Sequence, residues 1–287
     1  MSNPQALGLM VRRATEGPPG AYVCLTNVAT TTASRKSPAF RTAVEGSYIS
    51  LSDGMPLVWI LRRRGFPGTE KLTGADLMPR LARAGLDAGL RHFLYGWTNR
   101  IAQAAARGLE DEVPGTLIVG THCPPFAAAQ EQGPDDLDAP TPDDRPLAPP
   151  WVSIGGPVDR VDWRLDELQA RLDEAKPHVL WVGLGSPLQE QWMSMVAGRL
   201  DVGLMIGVGR AFNYMAGALR RCPEWMVNTG LEWAYTFLSE PRRLWRRYLL
   251  GNAEFSYLLA QEAIARKINP GHRPAGPRSE NGGNGWR

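Results

Sequence analysis

Four short stretches of this sequence combine polar or ionisable residues with glycine; three follow an apolar run and one, at Thr73, precedes an apolar helix. In Ser52-Asp53-Gly54-Met55 a carboxylate stands beside a residue with no side chain. That pairing suits a general base with substrate access to the backbone, or an N-cap for the next helix, and the two uses are compatible. Thr73-Gly74-Ala75-Asp76 has the form of a capping box, with Thr73 as N-cap and an acid three residues on. A helix start also attracts anions, so a nucleotide phosphate fits beside Thr73 and Asp76. Gly183-Leu184-Gly185-Ser186-Pro187-Leu188-Gln189 opens like a dinucleotide fingerprint, but Leu188 fills the third glycine position. What remains is a glycine turn into a helix, with Ser186 at N-cap, Pro187 at N1 and Gln189 at N3. Its backbone can hold a phosphate or a uracil-type base, with Gln189 either contacting the ligand or serving as a capping partner. Gly207-Val208-Gly209-Arg210-Ala211-Phe212 repeats the pattern, with Phe212 in the third position. Two such turns favour a nucleotide-type ligand.

Metal chemistry finds little support. His92, His122, His178 and His272 form no close pair, and the lone Asp-x-Asp, Asp136-Leu137-Asp138, sits in a proline-rich stretch. Neither a Gly-x-Ser-x-Gly elbow nor a P-loop lysine is present. A diphosphate handled without metal needs another source of positive charge. Arg242, Arg243, Arg246 and Arg247 share one helical face, opposite Leu244, Trp245, Tyr248 and Leu249. Such a basic, aromatic helix either lies on an anionic membrane or packs on the body with its arginines in water.

The elements that position these turns alternate. Apolar runs at 22–26, 47–51, 91–95, 117–121, 179–183 and 203–208 read as buried strands. Helical patterns lie between them, at 30–44, 55–64, 75–86, 99–109, 163–175 and 188–198. The alternation predicts an α/β fold with a mostly parallel, Rossmann-like sheet flanked by helices, whose ligands bind beyond the carboxyl ends of the strands. The domain reading is an N-terminal extension at 1–20, a body at 21–223 with a disordered insertion at 124–150, a helical appendage at 224–268, and a disordered tail at 269–287.

The chain has 287 residues and a net charge of +3, which excludes a surface that grips nucleic acid throughout. Three scattered cysteines point to a reducing compartment rather than a disulfide framework. The N-terminus lacks a signal-peptide core, and the apolar window at 202–219 holds Arg210, Asn213 and four glycines. The chain therefore reads as cytosolic and not membrane-spanning.

Taken in order, these motifs resemble the WecG/TagA/CpsF family of bacterial glycosyltransferases. The resemblance runs from Asn27 through Ser37-Pro38-Ala39-Phe40-Arg41, the Asp53 and Thr73 motifs and Gly183 to Trp192. It ends with Gly230-Leu231-Glu232-Trp233, Glu240 to Tyr248 and Gly251-Asn252. It implies transfer of a sugar from a UDP-sugar (UDP-N-acetylmannosamine, its uronate or a related sugar) to a polyprenyl-diphosphate-linked glycan. The reaction would invert the anomeric centre, use no metal or other cofactor, and take place at the inner membrane face. The resemblance makes Asp53 the catalytic base and sets Thr26, Asn27 and Gln189 beside the donor with Gly183, Gly185, Gly207, Gly209 and Arg210. Arg243 and Arg246 would steady the leaving diphosphate, while Arg242, Trp245, Arg247 and Tyr248 dock the membrane. Three positions depart from the family pattern: Leu25 replaces a threonine, Asn213 an aspartate and Thr236 an arginine. They bear on the donor sugar, and Arg210 is placed to read a uronate carboxylate. Competing readings are a nucleotide-dependent oxidoreductase, disfavoured by Leu188 and Phe212, and a non-catalytic module binding anionic lipid or nucleic acid through Arg242 to Arg247.

Overall fold

A computed structural model describes residues 1–124 and 163–223, with single positions 226, 234, 235 and 238. The chain divides into two compact units, 1–240 and 241–287. The first contains every element given below; the second lies outside the described residues. Apart from Pro124, so does the insertion expected at 124–150.

Strands β1 (Ala21–Thr26), β2 (Ile49–Ser52), β3 (Arg91–Gly96), β4 (Leu117–His122), β5 (Val179–Gly183) and β6 (Leu204–Gly207) form one sheet in the order β2-β1-β6-β5-β3-β4. Every pairing is parallel. The sequence explains why both faces are covered. Along β1, Val23 and Leu25 join one apolar cluster while Tyr22 and Cys24 join the other, as the two-residue period of a strand requires. Val179 and Trp181 against Leu180 and Val182 repeat the division in β5.

The first cluster packs under α1 (Asn3–Glu16), α5 (Gly74–Ala84), α6 (Asn99–Glu112) and α9 (Ala211–Met215). The second packs under α7 (Leu165–Ala175) and α8 (Leu188–Val196). Residues 1–20, read from sequence as an extension, contain α1, whose Ala6, Met10 and Ala14 are buried at helical spacing. The helix expected at 30–44 is two helices, α2 (Val28–Lys36) and α3 (Pro38–Glu45). Pro38 cannot donate the backbone bond that would continue α2, and Ser37 caps the new helix by accepting from the Phe40 N–H. The apolar run after Asp53 forms α4 (Met55–Arg63). Among the described residues no helix is long and apolar enough to cross a membrane.

Candidate active site

The carboxyl ends of β1 and β2 hold the first pair of polar groups. β1 and β2 run in register, Thr26 beside Ser52, and the Asp53 N–H extends the ladder by donating to the Thr26 carbonyl at 2.8 Å. The Thr26 hydroxyl donates to the Leu51 carbonyl at 3.1 Å, so it braces the two strand ends. Asn27 is the N-cap of α2. Its Oδ1 accepts from the Thr30 N–H at 3.1 Å, and its own N–H donates to the Thr30 hydroxyl at 2.7 Å. With the oxygen committed to the helix, Nδ2 is turned to the Asp53 Oδ2 at 3.3 Å. Asp53 is half-buried and does not cap α4; the N-cap there is Gly54, with no side-chain cap bond. The capping alternative is thereby corrected.

The second group lies over β5 and β6. Gly185 and Gly209 have φ of +78° and +52°, the left-handed region that favours glycine. A Cβ on Gly207 would come within 2.8 Å of the Met193 Cε and 3.0 Å of the Gln189 Nε2. The Gln189 side chain therefore lies across the Gly207 turn, and its buried Oε1 has no hydrogen-bond partner among the described residues. Gln189 Nε2 donates to the Glu190 Oε1 at 3.1 Å. Burial pushes the Glu190 carboxyl up to about 7, against bonds from Gln189 and the Ser186 hydroxyl that favour its charged form. The helix start expected at Ser186 is corrected. Pro187 is the N-cap, without a side-chain bond to the helix, and Gln189 falls at N2.

The start of α5 touches both groups. The Leu72 N–H donates to the Ser52 carbonyl at 2.9 Å, and a Cβ on Gly74 would meet the Val208 carbonyl at 2.9 Å. The expected cap is present: Thr73 accepts from the Asp76 N–H and donates to its Oδ2 at 2.6 Å. Arg221 pairs with the other Asp76 oxygen, also at 2.6 Å. Burial alone would raise the Asp76 carboxyl, but the Thr73 hydroxyl and the Arg221 and Arg80 charges outweigh it and hold it below its ordinary value. Arg210 is the half-buried N-cap residue of α9. Arg242, Arg243, Trp245, Arg246, Arg247 and Tyr248 lie outside the described residues.

The order of these parts along the chain decides the kinship. Residues 1–269 match the glycosyl transferase WecG/TagA/CpsF family. The chain belongs to this family. Similar proteins include an N-acetylglucosaminyldiphosphoundecaprenol N-acetyl-beta-D-mannosaminyltransferase of Staphylococcus aureus (strain MRSA252). It is 25% identical over 202 residues, 70% of this chain and 65% of that protein. A protein of the same description from Bacillus spizizenii is 22% identical over 230 residues, 80% of this chain and 75% of its own. The chain thus spans a little under two thirds of the staphylococcal relative.

In this family member, sequence reasoning passed over three contributors. Trp97, at φ +49° after β3, donates its N–H to the Gly183 carbonyl at 3.1 Å and its indole Nε1 to the Gly209 carbonyl at 3.2 Å, tying both glycine turns together. The others are Glu190 and Arg221. Only Glu190 had a local signal, an acid at the start of an apolar helix. Phe212 packs its ring where a Cβ on Gly183 would stand, 2.8 Å away, so this turn is lined by an aromatic edge.

Proposed function

We propose that this protein is an inverting glycosyltransferase. It moves a sugar from a UDP-sugar, N-acetylmannosamine, its uronate or a close relative, to a glycan on polyprenyl diphosphate at the inner face of the cell membrane. The observation that carries the reading is the Asp53 carboxylate, half-buried at a strand end and hydrogen-bonded by the Asn27 amide. A sugar hydroxyl is a poor nucleophile at neutral pH. Asp53 takes its proton as the new bond forms to the anomeric carbon, while the bond from that carbon to the donor diphosphate breaks on the opposite side. Nδ2 of Asn27, pinned through its own oxygen to α2, keeps the carboxylate in one orientation.

The nucleotide is assigned to the glycine turns, with the unpartnered Gln189 Oε1 and the backbone of 183–185 and 207–209 as its contacts. The departing diphosphate gathers negative charge, and Arg243 and Arg246 are assigned to it on the sequence alone, in place of a metal. Support also comes from the names of the two relatives, which give a diphosphoundecaprenol acceptor and a mannosaminyl group for those proteins.

The test is transfer from UDP-N-acetylmannosamine to a GlcNAc-diphospholipid in EDTA, with wild type beside Asp53→Asn. Wild type is expected to turn over, and the variant to lose about 10²–10⁴-fold in kcat with its melting temperature unchanged. Full turnover by Asp53→Asn removes the carboxylate from the mechanism, and a wild type silent in EDTA but active with magnesium removes the arginine model.

A further inference from the structure

Helix α4 departs from the other helices of the body in what it leaves uncovered. Its sequence, Met55-Pro56-Leu57-Val58-Trp59-Ile60-Leu61-Arg62-Arg63, is almost wholly apolar up to the arginines, yet Val58 is its single buried residue. Trp59 is 51% exposed, and Phe66 just beyond the helix is 39% exposed. Leu57, Ile60 and Leu61 are half-buried. Arg62, Arg63 and Arg64 are all exposed. From residue 54 to residue 69 there is no acid at all. Basic residues at a helix C-terminus complement its dipole, which accounts for the arginines but not for an open tryptophan and phenylalanine beside them.

We propose that α4 and the turn to Phe66 form a docking face for an anionic lipid bilayer. Trp59 and Phe66 enter the interfacial layer, and Arg62 and Arg63 meet the lipid phosphates. Tryptophan flanked by arginine on a short apolar helix is the composition that interfacial segments use. Charge selects this occupant over two others. A second copy docking face to face would set the same arginines against one another. The chain's own residues 241–287 carry nine Lys or Arg against three acids, a net positive segment that the arginines of the face repel. The face also begins two residues after Asp53, so docking would hold that strand end close to the membrane surface. This surface is separate from the one expected at Arg242 to Tyr248, and it does not depend on the sugar-transfer reading.

The test uses the full chain and vesicles of phosphatidylcholine with and without phosphatidylglycerol; no sugar donor is added. Wild type is expected to sediment with the anionic vesicles. Arg62→Gln/Arg63→Gln and Trp59→Ser/Phe66→Ser should each weaken that binding about tenfold or more. Leu86→Ser/Leu117→Ser, which alters exposed apolar residues elsewhere, should leave it unchanged. The C-terminal segment can also bind lipid, so location is read directly with a polarity-sensitive dye on Trp59→Cys. The three native cysteines are buried. The dye should shift to shorter wavelength on anionic vesicles, and the same dye on Leu86→Cys should not. Wild-type binding by both α4 variants, or no dye shift at position 59, overturns the proposal. So does loss of self-association in those variants with vesicle affinity intact, which would assign the face to a second copy.

Discussion

The two halves of the candidate site are built in opposite ways. Over β1 and β2, Asn27, Asp53 and Gly54 are half-exposed, and a Cβ on Gly54 would meet nothing nearer than 3.8 Å. Over β5 and β6, Gln189 is 4% exposed and Glu190 1%, and Gly207 has no room for a methyl group. One half is an open shelf held by a few hydrogen bonds, and the other is a close-packed corner. The difference matches the division of labour proposed above. A nucleotide is recognised by fixed, dry backbone, whereas an acceptor hydroxyl must come and go beside its base.

The contrast can be broken from either side. The largest effect is expected on the shelf, where Asp53→Asn should cut turnover by orders of magnitude and spare the fold. Next comes Glu190→Gln in the corner. In the folded state Glu190 keeps its proton to about 7, against an ordinary 4.5. The stability this contributes is whole below pH 4.5 and is lost as pH rises through 7. The isosteric amide removes that loss, so thermal unfolding should show a gain of up to ~3 kcal/mol at pH 8 and little change at pH 4. A gain equal at both pH values would show that the carboxyl is not the cause.

A matched pair of glycine substitutions gives a smaller and cleaner comparison. Gly207→Ala forces Met193 and Gln189 aside and should cost about 1–3 kcal/mol, measured by urea unfolding. Gly54→Ala should cost under ~0.5 kcal/mol in the same experiment, since its space is open and its φ of 178° is ordinary extended backbone. Equal costs would mean that the corner is no tighter than the shelf. The smallest effect separates the two duties of Asn27. Asn27→Ser keeps an N-cap oxygen but has no amide to offer Asp53, so stability should hold while kcat falls about tenfold. Asn27→Ala loses both and should also cost about 1 kcal/mol of stability.

Much of the body was legible before any coordinates. Strand runs bounded by glycine, and the Thr73 cap, are local patterns, and all six strands appear within two or three residues of where those patterns set them. The break at Pro38 was equally local and was passed over. The start of α8 misled for a different reason. Ser186 has the chemistry of a cap, but the helix takes Pro187 as its N-cap, and its first turn is set by the burial of Leu188, Gln189 and Glu190, which no local pattern records.

By itself, then, the sequence determined which segments become strands and helices, where glycine must stand, and that Asp53 ends a strand. Those features depend on neighbours a few residues away, through side-chain period and backbone sterics. Tertiary structure alone decided that the Asn27 amide faces Asp53 across 26 residues and that the Trp97 indole reaches Gly209 across 112. It also set Gln189 over Gly207, and left α4 with its tryptophan in the open. Such contacts follow from strand order, and a parallel sheet brings distant strand ends together in an order that no local pattern records.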